Sequence, residues 1–219
     1  MSPLHVSVAV LAVFAFAACG VSADKDKFKC KLRPADIPKE WVSMVDPCVK
    51  KMREQVQTEL TASMTYLAMA AHFSQDTVNR PGFAEHFFKS ASEEREHAIK
   101  LIEYLLMRGQ LTKDVGDLIK DPRPKGDVTS WVDGVSALKD ALKLEASVTN
   151  NIRDIVAVCE DPGESKFNDY HLVDYLTGDF LDEQYKGQRE LAGMISTLDK
   201  MMHSHGAIGE FLFDKKLLG

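Results

Sequence analysis

The chain has 219 residues, 45% of them hydrophobic and 27% charged, enough for one sizeable core and better suited to one domain than to two. Glycine and proline are sparse, at 13 and 8 residues, and no low-complexity stretch is present, which argues against disorder away from the ends. The net charge of −6 argues against a general nucleic-acid binder and suits a surface or cavity that draws in cations.

Residues 1–23 read as a signal peptide. From Val6 to Cys19 the chain is almost wholly apolar, long enough for a signal-peptide core and short for a membrane span. Val21-Ser22-Ala23 supplies small residues where a signal peptidase cuts, so cleavage is expected before Asp24. The first residues carry no Lys or Arg, only His5, and a lipid anchor at Cys19 is the alternative reading. No later segment is apolar enough to span a bilayer. The mature chain is therefore expected to be soluble, free of the membrane, and located in the secretory pathway, either outside the cell or in an endomembrane lumen. Cleavage leaves Cys30, Cys48 and Cys159, an odd number that fits one intrachain bridge and one thiol for a partner chain. Three reduced thiols are the alternative. No Asn-x-Ser/Thr sequon is present.

Residues 24–42 are charged, contain Pro34 and Pro38, and read as an irregular extension. Four long helical patterns follow. The first runs from about Val45 to Phe73, with Val56, Leu60, Met64, Leu67 and Ala71 along one apolar face. The second opens at Pro81, a favourable first helical residue, and runs to about Arg108. The third is expected from Trp131 to Cys159, before Asp161-Pro162-Gly163, and the fourth from Asp169 to Met202. A short apolar helix, Ala207 to Leu217, closes the chain. Turns at 74–80 and 161–168 are short and make antiparallel hairpins of helices one with two and three with four. The link from 109 to 130, with Pro122 and Pro124, is long enough to traverse a bundle at about 3.3 Å per extended residue. The expectation is an all-α, up-down four-helix bundle with one long crossover and a short fifth C-terminal helix. That path brings Cys48 and Cys159 to one end, which predicts a Cys48–Cys159 bridge and leaves Cys30 for a neighbouring chain.

Each long helix places a polar residue where an amphipathic helix wants an apolar one. Helix one has Glu59, with Tyr66 two turns on. Helix two has Glu94 and His97, neighbours on a helix surface at i and i+3. Helix three has Glu145, and helix four Gln184. Burying several carboxylates together is costly unless they are paired or hold a cation. Carboxylate and imidazole donors suit a first-row metal, iron above all. A lone Glu-x-x-His is usually a solvated face; the convergence of four helices is what favours metal. The remaining histidines, His72, His86, His171, His203 and His205, read as surface or helix-end residues, and Met64, Met194 and Met201 as core filler.

The stretches Glu59–Tyr66, Glu93-Glu-Arg-Glu-His-Ala98, Ala141–Glu145 and Glu183-Gln184 resemble the ferroxidase-bearing segments of animal ferritin heavy chains. The C-terminal Gly209–Gly219 resembles the ferritin fifth helix, and the signal and cysteine-bearing extension resemble the secreted ferritins of insects. The likeness covers residues 43–219, which would form a ferritin-like di-iron domain. It implies a subunit of a 24-subunit cage that oxidises Fe(II) to Fe(III) with dioxygen and mineralises the product. Its implied partners are homologous ferritin subunits, including a light-type chain. Glu59, Glu94 and His97 would hold a first iron, Glu94 bridging to a second held by Glu145 with Gln184 nearby, and Tyr66 would hydrogen-bond within the site.

A second Glu-x-x-His is missing, since Val148 stands at i+3 from Glu145, so the second iron should be held weakly and released. Glu93 and Glu96 are implied as mineral-nucleating acids, with a solvated face as the alternative. Ile99 stands where many heavy chains have another acid. Asp174 is implied as a pore residue, although Thr177 and Val173 stand where the family places a second acid and a cysteine. Two rivals remain at this stage. A structural ferritin subunit would lack several of these ligands; a soluble di-iron oxidase would favour a second Glu-x-x-His and have no use for a fifth helix.

Overall fold

A computed structural model describes residues 35–111, 115–124, 130–161 and 168–219. Residues 1–38 and 39–219 are separate compact units; the described part of the first, 35–38, is exposed and irregular. The expected signal peptide, its cleavage point before Asp24, and Cys30 lie outside the described residues.

The second unit is helical, with no strand among the described residues. Its elements are α1 (Asp46–Ser74), α2 (Pro81–Met107), a short 3-10 turn (Val115–Asp117), α3 (Gly134–Glu160), α4 (Tyr170–Tyr175), a π-helical segment (Leu176–Leu181), α5 (Asp182–His205) and α6 (Ala207–Leu217). Backbone angles stay right-handed helical at Leu176, Leu181 and Asp182, so α4, the π segment and α5 form one rod. This is the expected bundle with a crossover and a fifth helix.

Pairing follows from specific contacts. Ser63 Oγ donates to Ala91 O at 2.6 Å, and Arg80 N to Phe73 O at 3.0 Å, so α1 and α2 run antiparallel. Thr149 reaches Gln184 at 2.8 Å, and Asp169 N donates to Cys159 O at 2.9 Å, so α3 and the α4–α5 rod do the same. The crossover is tied to α1 where Lys120 N donates to Gln57 Oε1 at 2.6 Å, and it buries Leu111 and Leu118.

Charge at the helix ends fixes the frame. Asp133 and Ser136 form a reciprocal capping box that opens α3 at Gly134, three residues after the expected Trp131. Trp131 instead packs, buried, against His72. Two acids one turn apart on α6 accept from the first turns of α2 and α3. Asp214 Oδ1 accepts from Gly82 N (2.8 Å) and Phe83 N (3.1 Å) at the start of α2. Glu210 accepts from Gly134 N of α3 (3.2 Å) and from Arg80 Nε (2.8 Å). Carboxylates at helix N-termini answer both the unpaired N–H groups and the macrodipole. Gly82 is required there, since a Cβ would sit 1.9 Å from Asp214 O.

The structure corrects the expected face of α1. Its buried side is Cys48, Met52, Gln55, Val56, Glu59, Ala62, Ser63, Tyr66, Met69, Ala70 and Phe73. Of the expected stripe only Val56 is fully buried, whereas Met64 (38%), Leu67 (41%) and Ala71 are exposed. Met64 is therefore not core filler. The helix is apolar on two sides, and α2 and α3 claim the one that also carries Glu59.

Cys48 and Cys159 are joined by a disulfide, with Cα atoms 5.4 Å apart and both residues fully buried. The bridge ties the start of α1 to the end of α3, as expected. It closes a separation of 111 residues, which corresponds to about 2–5 kcal/mol of stabilisation. A Cys48→Ala/Cys159→Ala double variant is expected to unfold at lower denaturant by about that margin. Equal midpoints would show that the bridge contributes nothing to stability.

Candidate metal centre

Glu59 sits mid-way along the buried face of α1, and Glu94 and His97 project from α2 towards it. All three are buried, and one ligand atom from each lies within 4.8 Å of the others. Glu59 Oε1 accepts from Gln55 Nε2 at 2.7 Å. Glu59 Oε2, Glu94 Oε2 and His97 Nδ1 are buried without a hydrogen-bond partner. A buried polar atom left unpaired costs about 1–3 kcal/mol, and here three occur side by side. Oxygen and imidazole donors of this kind fit a hard or borderline divalent cation such as Fe²⁺.

The other expected residues lie on the same cavity of about 110 Å³, which Tyr66, Glu94, His97, Glu145, Gln184, Glu93 and Glu183 line among others. Glu145 is not in the tight trio. Its Oε1 accepts a short hydrogen bond from the Tyr66 hydroxyl. Gln184 Oε1 accepts from Thr149 Oγ1 at 2.8 Å, and Gln188 Nε2 donates to that same hydroxyl at 2.6 Å. His97 Nε2 lies 3.4 Å from Glu183 Oε2, and Nδ1 lies 3.5 Å from Glu94 Oε1.

Burial dominates the electrostatics. Loss of solvent, reinforced by the neighbouring Glu94 charge, raises the Glu59 carboxyl well above the usual range. Glu94 is pushed up to about 8, by burial first and then by the charge on Glu145. Glu145 is also raised by burial, against the opposing hydrogen bonds from Tyr66 and Gln184. Burial and the Glu145 charge raise the Tyr66 phenol well above its usual value.

Sequence reasoning missed several of these groups. Gln55 is buried and bonded to Glu59, yet a Gln one turn before a Glu reads as ordinary helix surface. Thr149, Gln188 and Glu190 escaped for the same reason. His86, expected at the surface, is half-buried, lines the cavity, leaves Nε2 unpaired, and has its pKa lowered by burial. His171 is exposed but bonded to Tyr104. Of the implied nucleation acids, Glu96 is exposed, while Glu93 is exposed and also reaches the cavity. Asp174 is exposed on α4; the Thr177 hydroxyl turns back onto Val173 O (2.7 Å) and Asp174 O (3.2 Å).

A family model described as a ferritin-like domain matches residues 49–201. The chain belongs to the ferritin family. It is 61% identical over 191 residues to the ferritin heavy chain of Trichoplusia ni, covering 87% of this chain and 89% of that one. It is 59% identical over 190 residues to the ferritin heavy chain of Drosophila melanogaster, covering 87% and 90%. The crystal structure of Trichoplusia ni secreted ferritin superposes with a TM-score of 0.83 at 61% identity, covering 87% of this chain and 98% of that one. Ferritins bind iron and assemble with other ferritin chains, and in this ferritin the Glu59–Glu94–His97 cluster is a candidate iron site. No helix among the described residues is long and apolar enough to cross a membrane.

The raised carboxyls set a pH dependence for the metal-free protein. A carboxyl whose folded pKa exceeds its unfolded value, 4.5 for Glu94, favours the fold while protonated; that contribution is lost as pH rises through about 8. In chelator, the thermal midpoint is therefore expected to fall from about pH 6 to about pH 9. Glu94→Gln should flatten the fall, and saturating Zn²⁺, a redox-inert occupant, should oppose it. A midpoint flat across this range in the parent protein would contradict the assignment.

Proposed function

We propose that this chain is a ferroxidase subunit of an iron-storing ferritin cage, oxidising Fe(II) to Fe(III) with dioxygen at a di-iron site inside the bundle. The observation that carries the reading is the trio of unpaired, buried ligand atoms on Glu59, Glu94 and His97, which a cation among them would satisfy. The first ferrous ion is the substrate of that trio. Its arrival displaces the protons that burial favours on these raised carboxyls, and its charge takes their place in stabilising both carboxylates. The second is met by Glu145 and Gln184, with Glu94 between the two positions. Tyr66 orients Glu145, and Thr149 with Gln188 orients Gln184. Anionic oxygen donors favour the ferric over the ferrous state, so the cluster lowers the energy of the oxidised product.

The second position offers one carboxylate that is already hydrogen-bonded and one neutral amide, and so it holds iron less tightly than the first. Weak retention suits turnover: the ferric product leaves towards the exposed Glu93 and Glu96, the proposed nucleation acids, and the site refills. Asp174 is the proposed acid of the entry pore. Exposed Met64 and Leu67 on α1 and Phe211 and Leu212 on α6 supply apolar surface for assembly. With Cys48 and Cys159 already paired, Cys30 is the thiol available to a neighbouring subunit, proposed to be a light-type chain, in a secretory compartment.

Aerobic mixing of Fe²⁺ with purified cages tests the enzyme reading. The wild type is expected to oxidise iron far faster than Glu59→Ala/His97→Ala, with both eluting as a large particle. Equal rates would remove the ferroxidase assignment. The cage reading has its own check. A particle the size of a monomer or dimer that still oxidises iron would favour a soluble oxidase instead.

A Cys30→Ser variant separates the partner claim. It is expected to abolish any intersubunit species on a non-reducing gel while leaving the Cys48–Cys159 bridge intact. A mass map linking Cys30 to Cys48 would overturn that arrangement.

A further inference from the structure

A file of aromatic rings leads away from the metal cluster. The His97 ring lies 5.7 Å from Phe180, centroid to centroid, and Phe180 meets Tyr175 edge-on at 5.4 Å. Tyr175 stacks on Tyr104 at 4.7 Å with the planes 16° apart. The file crosses from α2 to the π segment, on to α4, and back to α2. It ends at a buried phenol with two polar partners: Arg108 Nη1 at 2.8 Å and His171 Nδ1 at 2.8 Å. A guanidinium only donates, so the phenol oxygen accepts from Arg108 and its own proton is free to point at His171. Arg108 is fixed in turn by both oxygens of Asp169, at 3.0 and 3.1 Å, and His171 is exposed.

We propose that Tyr104 and His171 form a proton-coupled redox pair, joined to the metal cluster through Tyr175 and Phe180, that lends the site one electron when a single ferrous ion meets hydrogen peroxide. The inference rests on the iron-oxidising reading above, whose two-electron reduction of dioxygen supplies the peroxide. A lone ferrous ion gives peroxide one electron, which breaks the O–O bond into hydroxide and a hydroxyl radical. With a second electron from Tyr104, both oxygens become water. One Fe²⁺, one Tyr104 phenol, one His171 imidazole, one H₂O₂ and two solvent protons yield Fe³⁺, a neutral Tyr104 phenoxyl radical, protonated His171 and two H₂O. The phenolic O–H bond breaks and an N–H bond forms on His171 Nδ1. The next ferrous ion at the cluster returns an electron to the radical, the proton goes back from His171, and the pair is restored. The sum is two Fe²⁺ oxidised per peroxide, one at a time.

Two physical arguments favour this phenol. Burial pushes Tyr104 up to about 12, against the lowering effect of Arg108, so it stays protonated at neutral pH. Losing an electron while keeping the proton would put a positive charge beside the guanidinium, so the proton must move, and His171 is within hydrogen-bond distance to take it. Tyr66, the phenol that lines the cavity itself, is bonded to Glu145. Handing its proton there would neutralise the carboxylate proposed for the second iron. Tyr104 discharges to a group with no part in metal binding.

The test uses assembled protein loaded anaerobically with a single ferrous ion per chain, mixed with hydrogen peroxide and frozen for electron paramagnetic resonance. Ferrous loss is read in the same samples, and hydroxyl radical is trapped in parallel. Wild type is expected to show a tyrosyl signal that persists in Tyr66→Phe, disappears in Tyr104→Phe, and is sharply reduced in His171→Ala, with more trapped hydroxyl radical in the last two. Phenylalanine keeps the ring stack. If Tyr104→Phe does not assemble, His171→Ala, altered at an exposed residue, decides alone. A signal undiminished in these variants, or one that vanishes only in Tyr66→Phe, overturns the pair while leaving iron oxidation standing. Wild-type protein that oxidises no iron overturns the ferroxidase reading, and this inference with it.

Discussion

Two carboxyls and an imidazole held together away from water form the constraint around which this bundle is organised. Glu59 is fully buried and Glu94 nearly so, and only Gln55 offers Glu59 a neutral donor. Placing two such ions in an interior costs several kcal/mol each before any attraction between opposite charges is counted. Here the charges are alike, so the metal-free protein answers by raising both pKa values. A cation removes the same penalty without the proton. That exchange makes the site a binding site, and it calls for ligands anchored by the flanking structure: ligands free to turn away would relieve the cost by moving.

Rigidity comes from both ends of the bundle. At one end the Cys48–Cys159 bridge joins α1 to α3, and the part-buried Arg108–Asp169 pair joins the end of α2 to the start of the α4–α5 rod. At the other, Asp214 and Glu210 on α6 hold the first turns of α2 and α3. Helix α6 is therefore more than an apolar appendage, since its two acids set the N-terminal anchor of the helix that carries Glu94 and His97. Removing a cap of this kind typically costs about 1 kcal/mol, and Asp214 answers two N–H groups at once.

Most of this frame was legible in the sequence, and the reasons are specific. Glu94, His97 and Glu145 stood out because each breaks an apolar stripe, and period puts them on inward faces; Glu59 stood out only as an acid beside apolar neighbours. The choice of face on α1 was not decidable from period, because Leu60, Met64 and Leu67 make a second stripe as apolar as the true one. Gln55, Thr149 and Gln188 were invisible because neutral polar residues on a helix look the same facing water or facing a ligand. The π segment left a trace that a uniform helix hides. Leu172, Leu176, Phe180, Gln184 and Gln188 recur every fourth residue without the threes that about 3.6 residues per turn demands. Such a run stays on one face only if the helix takes in an extra residue, as it does at Leu176–Leu181.

That extra residue connects the fold to the chemistry. A regular α-helix from Tyr170 onward would drift by about 120° round its axis between Leu172 and Gln184, too far to bury both on one narrow face. With the π segment both are buried. The same turn that brings the Gln184 amide to the cavity also seats Phe180 between the cluster and Tyr175. The cavity is thus built next to a ring path that reaches a protonated phenol. The place of Gln184 and the aromatic packing are then two consequences of one local change in helical pitch.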